Sequence, residues 1–513
     1  MAFRILLVYP SLFMQTGIPL SIATLAGAAR EAGLEVRLFD PFLYRLMQDD
    51  IDESELRAGR HHSTLPVDYG AKGVAPLEGD PRDALTDVIH AYQPHLIGMS
   101  AVESTFERGC LLTRHLKTVT DVPVIGGGVF PTLAPEIAIQ EPSLDMLCVG
   151  EGESTLVEVA RRLIAGQPYD DVKGLWVKRP DGSVARNARR LECLDTLARP
   201  DFSVFPEATF LRPMRGNLFR TLPVEFSRGC PYQCAFCAEP ALDKVFRAQG
   251  ETFFRKKSMD RILEELHHNV AHYRPEFFYF GSETFLAMSR HEFDAFIEGY
   301  ADIRLPFWIQ TRPETITREA IERLREVGLF WMTIGVEHGN EAFRARVLRR
   351  RTRNQQILDV LAMLDAIDFG ASVNLIMGYP HETRELVEDT VRFSHQMHAV
   401  NHRVRCSISI FSPFRGSELY DVAVAGGYWD PRIPYISGTN ISTAGYLTNP
   451  DLPSDVLAGL YRAFPLYTYL PESEWPRVRE AEALTPEGDA LYEALNTQVA
   501  RRLAEDQKPP VCV

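Results

Sequence analysis

Short apolar runs alternate with longer helical patterns through most of this 513-residue chain, and that alternation constrains the fold more than any other feature. Residues 5–9 form a buried-strand run. A loop through Gly17 and Pro19 leads to a helical pattern at 20–32, ended by Gly33, and 35–39 is a second strand. Parallel neighbours need such crossovers, because strands pointing the same way cannot be joined by a tight hairpin. Residues 45–80 break the pattern. They are polar, with a His pair and several Gly and Pro, and read as an insertion or cap over the sheet. Strands resume at 95–100, 122–125 and 144–149, with helices at 107–117 and 154–164. The set predicts a doubly wound α/β sheet, whose ligands lie outside the carboxyl ends of the strands. Gly126, Gly127 and Gly128, and then Gly150 and Gly152, stand at those ends. They either make tight turns or let a large flat ligand approach the backbone.

A second series follows. Strand-like runs at 224–227, 277–280, 307–310, 331–336, 372–377 and 406–411 alternate with helices such as 259–273, 318–327 and 354–367. This pattern suits a parallel barrel or partial barrel, with its active site at the strand C-terminal ends. A hairpin around Pro180, Asp181 and Gly182 and an extended linker at 194–206 join the two series. After them, 428–450 is rich in Gly, Pro, Tyr and Thr and reads as a loop over the barrel mouth. Helical periodicity returns at 454–467 and 486–505.

Composition narrows the function. A net charge of −14 argues against a nucleic-acid binder, which needs a basic face. Eight cysteines in this length make no disulfide framework. Cys110, Cys148, Cys193, Cys406 and Cys512 stand singly and read as buried or idle thiols. The run 5–9 is too short for a signal core and Pro10 breaks it. No apolar run reaches the roughly 18 residues of a membrane span. A cytoplasmic location, where thiols stay reduced, is the expectation.

The exception among the cysteines is Cys230, Cys234 and Cys237, in a Cys-x3-Cys-x2-Cys array with Phe236 before the last. Three thiolates are one short of a closed zinc site or a four-cysteine cluster. An open coordination position points to a metal centre that binds a substrate.

This array resembles the cluster loop of the radical S-adenosylmethionine (SAM) enzymes. The resemblance implies that Cys230, Cys234 and Cys237 are catalytic and hold a [4Fe–4S] cluster. Its unique iron would chelate SAM, and reduction would release a 5′-deoxyadenosyl radical. Further SAM contacts implied by position are Phe236, Ser282, Glu283, Gln310, Arg312, Glu337, Ile376 and Gly378. Ser282 replaces the second Gly of the family's Gly-Gly-Glu. The first series resembles the cobalamin-binding domain of one large radical SAM subfamily. The matching pieces are Gly17-Ile18-Pro19-Leu20, Gly98-Met99-Ser100, residues 125–128 with Pro131-Thr132, and residues 149–153. They imply cobalamin contacts at Leu20, Ser100, Gly127, Gly128, Gly150, Gly152 and Glu153. The Asp-x-His-x-x-Gly motif that ligates cobalt is absent. His61 and His62 read as surface residues, so the resemblance implies cobalamin without a protein His ligand.

The implied organisation is a Rossmann-like cobalamin-binding domain at 1–170 and a hairpin and linker at 171–222. A (β/α)6 partial TIM barrel, the radical SAM core, follows at 223–425, and a small C-terminal helical domain shaping the substrate pocket at 426–513. The implied chemistry is methylation of an unreactive carbon of a small molecule through the deoxyadenosyl radical and methylcobalamin. Alternatives are a cyclase of the anaerobic magnesium-protoporphyrin ester type, and a cobalamin- or cluster-binding sensor. An electron donor such as flavodoxin or ferredoxin is the implied partner. The arginines at 344, 346, 349, 350, 351 and 353 read as a solvated helix face, or as a docking patch for an acidic reductant.

Overall fold

The computed structural model describes residues 2–47, 50–436 and 445–505. The first sheet opens with β1 (Arg4–Val8), β2 (Glu35–Phe39), β3 (Leu96–Ser100), β4 (Val124–Gly127) and β5 (Met146–Cys148). These run parallel in the order β2-β1-β3-β4-β5. Their sequences are almost wholly apolar because helices cover both faces. Ile5 and Leu7 pack into one core, Leu6, Val8 and Ile97 into the other. The strand order reverses between β1 and β3, which opens a crevice at their carboxyl ends. The expected hairpin, β6 (Leu175–Lys178) and β7 (Val184–Arg186), is hydrogen-bonded antiparallel onto β5.

A hairpin of β8 (Leu211–Met214) and β9 (Asn217–Glu225) starts the second sheet. A small antiparallel ribbon, β10 (Ser227–Arg228) with β11 (Arg255–Lys256), stands apart. Then come β12 (Phe277–Gly281), β13 (Phe307–Thr311), β14 (Leu329–Glu337), β15 (Ser372–Met377) and β16 (Arg405–Ile410), all parallel to β9. Side chains alternate between the faces with a period of two. Phe278, Phe280, Ile309, Val373 and Ile408 turn outward to the helices. Tyr279, Trp308, Gln310, Thr333, Asn374 and Ser407 turn inward and line a lumen. The sheet is therefore a half-barrel. Its free edge, β16, lies under the helix Ser454–Tyr469, and the Tyr469 hydroxyl accepts a hydrogen bond from the Cys406 N–H at 3.1 Å.

Several expectations need correction. The insertion at 45–80 does not lie over the first sheet alone. It carries the helix Glu53–Gly59, borders the half-barrel lumen through Leu65 and Tyr69, and is pinned to the C-terminal helices. His62 Nε2 lies 2.7 Å from Asn496 Oδ1, and Asn496 Nδ2 donates to Gly59 O at 3.0 Å. His61 packs on Tyr461 at 4.8 Å between ring centroids. Both histidines are thus buried, not surface residues. The arginine run is not one solvated face either, because Arg344 and Arg350 are buried. The described part of the loop at 428–450 docks on the first domain: Tyr435 stacks edge-on against Phe106 and Phe130, and Ile436 N donates to Glu103. Residues 437–444 and Cys512 lie outside the described residues. Among the described residues no helix is long and apolar enough to cross a membrane.

Candidate active site

The three-cysteine loop follows β10. Gly229, at φ 88°, turns the chain into it, and a Cβ there would meet Phe254 Cα at 2.8 Å. The loop is pinned at its middle, where Ala235 N donates to Leu348 O at 3.3 Å and Ala235 O accepts from Leu419 N at 3.0 Å. Each sulfur has a polar neighbour. Cys230 Sγ lies 3.9 Å from Thr284 Oγ1, Cys234 Sγ accepts from Arg312 Nη1 at 3.2 Å, and Cys237 Sγ accepts from Glu239 N at 3.5 Å. Arg312 also stacks flat over Tyr232 at 3.9 Å. Burial pushes the Cys230 and Cys237 thiols up, so a metal's positive charge must replace the proton for them to act as thiolates. Among the described residues no three His, Cys, Asp or Glu side chains converge as ligands of a single ion would. One zinc holds its thiolates about 3.8 Å apart. Cluster cysteines each take a different iron and need no common point. The donor set fits a cluster.

The strand ends surround this loop unevenly. Ser282 is buried with its Oγ 3.2 Å from Ser227 Oγ. Glu283 is exposed as a residue, yet desolvation by its surroundings raises its carboxyl. Glu239 is raised to about 7, first by burial and then by the charge of Glu283. Its Oε2 is buried with no hydrogen-bond partner. Two carboxylates with one orphaned oxygen suit an incoming ammonium group. Glu239 escaped the sequence reading; its signal is its place two residues after the last cysteine. Phe236 and Ile376 share one apolar cluster with Tyr379. Gly378, at φ 83°, donates its N–H to the buried Glu382 at 2.5 Å. His338 Nε2 bonds the same carboxyl at 2.8 Å while its Nδ1 accepts from Asn340 N at 2.9 Å. Nδ1 thus serves as the acceptor and Nε2 as the donor toward Glu382. Glu337, at φ 72°, is held by Arg350 at 2.9 Å, and Gln310 faces the lumen.

A cleft of ≈ 1070 Å³, taken to its open mouth, lies at the carboxyl ends of β3, β4 and β5. Ser100, Gly127, Gly128, Gly150, Gly152 and Glu153 line it. Leu20 does not. The helix Leu20–Glu31 instead presents Ser21, Thr24 and Leu25, one helical turn and its neighbour, which the sequence reading missed. The barrel side contributes Leu242, Phe246 and Phe253. Gly128 and Gly150 have positive φ and press on the backbones of Ala101 and Arg190, so the turns require them. Gly127 is different. A Cβ there would make ordinary contact, 3.4 Å from Cys148 Cβ, so nothing in the fold demands Gly. Its bare backbone leaves space for a ligand, and a broad apolar ligand fits this cleft. Among the described residues no histidine lines it.

Arg228 joins the two sites. Its guanidinium contacts Glu151 at 3.2 Å, Glu153 at 2.7 Å and Glu225 at 2.9 Å. Burial opposes the charges here, and the three carboxylates more than offset it, holding Arg228 firmly protonated. The pairing likewise keeps Glu153 below the usual carboxylate range despite its burial. Glu153 is thus committed to the protein at its carboxylate.

The comparisons agree with this geometry. The Radical SAM superfamily model matches residues 224–394 and the B12 binding domain model residues 72–160. An uncharacterised methyltransferase of Pyrococcus horikoshii is 24% identical over 348 residues, 66% of this chain and 72% of that protein. An anaerobic magnesium-protoporphyrin IX monomethyl ester cyclase of Rubrivivax gelatinosus is 23% identical over 351 residues, 66% of this chain and 60% of that one. In fold, the chain is similar to the radical S-adenosylmethionine methyltransferase TsrM from Kitasatospora setae, solved with cobalamin and a [4Fe–4S] cluster. The TM-score is 0.63 at 14% identity, covering 99% of this chain and 100% of that one. The chain belongs to the radical SAM superfamily, in its cobalamin-binding branch, with a [4Fe–4S] cluster, SAM and cobalamin as its cofactors.

Proposed function

We propose that this chain methylates an unreactive carbon of a small-molecule substrate. The observation that carries the reading is a shared wall. Arg228 and Glu225 line the cobalamin cleft, and Arg228 stands two residues before Cys230. A methyl carrier and a radical source must both reach one substrate carbon, and this adjacency permits it. When bound, the cluster supplies the electron that splits SAM, and cobalamin carries the methyl group. The chain holds, orients and shields. Cys230, Cys234 and Cys237 would hold the cluster, and Glu283 and Glu239 would take the SAM ammonium. Ser282 and Gln310 would meet its polar parts, and Phe236, Ile376 and Gly378 its adenine. Arg312 and Glu337 would act through Cys234 and Arg350, their present partners. In the cleft, Ser100, Gly127, Gly128, Gly150 and Gly152 would face the corrin, while Leu25, Phe246 and Phe253 exclude water.

A one-electron donor such as flavodoxin or ferredoxin would approach where Cys234 and Ala235 border an outer groove, in which Lys244, Arg247 and Arg349 stand beside Asp243, Glu418 and Asp421. The free thiols suit a reducing cytoplasm.

The test is anaerobic reconstitution with iron, sulfide and cobalamin, then reduction with SAM. About four irons and one cobalt per chain, with 5′-deoxyadenosine and S-adenosylhomocysteine formed together, are expected. 5′-Deoxyadenosine alone would favour the cyclase type. Preference for zinc, with SAM left intact, would remove the reading. Cys234→Ala should abolish both the cluster's visible absorbance and SAM cleavage.

A further inference from the structure

The half-barrel encloses a second cavity of ≈ 1590 Å³, taken to its mouth, distinct from the cobalamin cleft. It runs from Arg405, the first residue of β16, up to Gln310 near the carboxyl end of β13. Its wall is unusual for a protein of net charge −14, because among the described residues arginines line it and no Asp or Glu does. Among the described residues no carboxylate forms an ion pair with Arg212, Arg215 or Arg405, although Arg405 is 9% exposed and donates to His402 O and Val404 O. What faces the first two is aromatic. Arg212 lies over the Tyr279 ring at 3.9 Å and Arg215 over Trp331 at 4.1 Å. Tyr279 in turn stacks on Trp308 at 4.0 Å and 11°.

This arrangement costs stability. Crowding half-buried guanidinium groups without anions is unfavourable, and burial together with Arg405 and Arg403 pulls Arg215 down to about 10. The chain also strains its backbone to put Arg215 there. The two-residue turn between β8 and β9 is Arg215-Gly216, both at positive φ, 49° and 80°. Such turns ordinarily use Asn-Gly, since a long side chain in the left-handed region is disfavoured. Glu283, whose charge acts on Tyr279, and Asp52, whose charge acts on Tyr69, do not line the cavity.

We infer that this lumen anchors the substrate through an anionic group, a phosphate or carboxylate, attached to a flat ring. The anion would complete the charge of Arg212, Arg215 and Arg405. The ring would lie against Trp308 and Trp331. The substrate's far end would then extend toward the cluster loop. This rests on the methyltransferase reading for its name as a substrate site, and its test is separate from that of the reading.

The test uses reconstituted holoenzyme and calorimetric titration with phenyl phosphate, benzoate, phenol and benzylamine. Phenyl phosphate should bind, benzoate less tightly, phenol at least about tenfold more weakly than phenyl phosphate, and benzylamine not measurably. Affinity for phenyl phosphate should fall with added salt. Arg212→Gln and Arg215→Gln should each weaken it about tenfold. Equal binding of all four probes, or phenyl phosphate binding that ignores salt, would overturn the inference on the wild-type protein alone. S-adenosylhomocysteine formed with 5′-deoxyadenosine by the same preparation reports on the methyltransferase reading independently. Both products without anion selectivity would sink this inference only, and anion selectivity without both products would sink that reading only.

Discussion

Arg228 shows how much one side chain can decide. Among the described residues it is the only cation contacting Glu153, while Glu151 also reaches Arg255 and Glu225 lies near Lys257. Removing one partner of a buried ion pair typically costs about 3–5 kcal/mol, because the remaining charge is stranded. Arg228→Met should therefore lower the denaturant midpoint of the apoprotein and weaken cobalamin retention. Arg228→Lys should restore little, since one ammonium cannot meet three carboxylates in a fork. Unchanged midpoints in equilibrium unfolding would contradict this. Asp40 offers a pH test. It accepts from Ser11 Oγ at 3.0 Å and Phe42 N at 3.2 Å, and burial outweighs these bonds and Arg108, raising its carboxyl to about 7. Its ordinary value is 3.8. The folded protein thus holds a proton that the unfolded chain releases, so this contribution is complete below about 3.8 and is lost as pH rises through 7. Asp40→Asn should flatten the fall in melting temperature between about pH 5 and pH 8. A parallel fall in wild type and variant would show that Asp40 does not carry it.

At the scale of elements, an open half-barrel has an edge problem. Unpaired strand edges attract other chains, and this one is covered at β16 by the helix Ser454–Tyr469. The Tyr469 hydroxyl accepts from the Cys406 N–H at the start of that strand. Tyr469→Phe keeps the ring but leaves the donor unsatisfied, a loss of about 1–3 kcal/mol. Urea unfolding should show it, with Cys406 amide exchange accelerated. At this scale the alternating strands and helices were legible from residue types, because parallel strands buried on both faces carry continuous apolar runs. The hairpin of β8 and β9 was not. Arg215-Gly216 is a poor turn signal, and Pro213 and Pro223 break the alternation that marks a strand.

At the scale of the molecule, the cobalamin cleft lies where the first domain's strand ends meet the barrel. Cobalamin binding should therefore stabilise both together. A ligand at a hundred times its Kd adds about 2.7 kcal/mol, seen as one upward-shifted melting transition. Since among the described residues no histidine lines the cleft, the Co(II) signal in electron paramagnetic resonance should lack splitting by a protein nitrogen. Splitting by such a nitrogen would mean that a His outside the present lining moves in.

The cysteine triplet, both βα series and the glycines at the strand ends were set by local chemistry, and the sequence alone determined them. Ligand spacing, turn conformation and apolar periodicity act over a few residues and leave their mark in residue type. What the tertiary structure decided is which distant groups meet. His61 and His62 read as surface residues until the C-terminal helices covered them. Leu20 held the motif position, yet Ser21, Thr24 and Leu25 face the cleft, because the helix's rotation against the sheet chooses the face. Arg405 lies far along the chain from Arg212 and Arg215, and curling of the sheet gathers all three in one lumen. A charge's partners, or its lack of them, depend on that closure, which no stretch of sequence contains by itself.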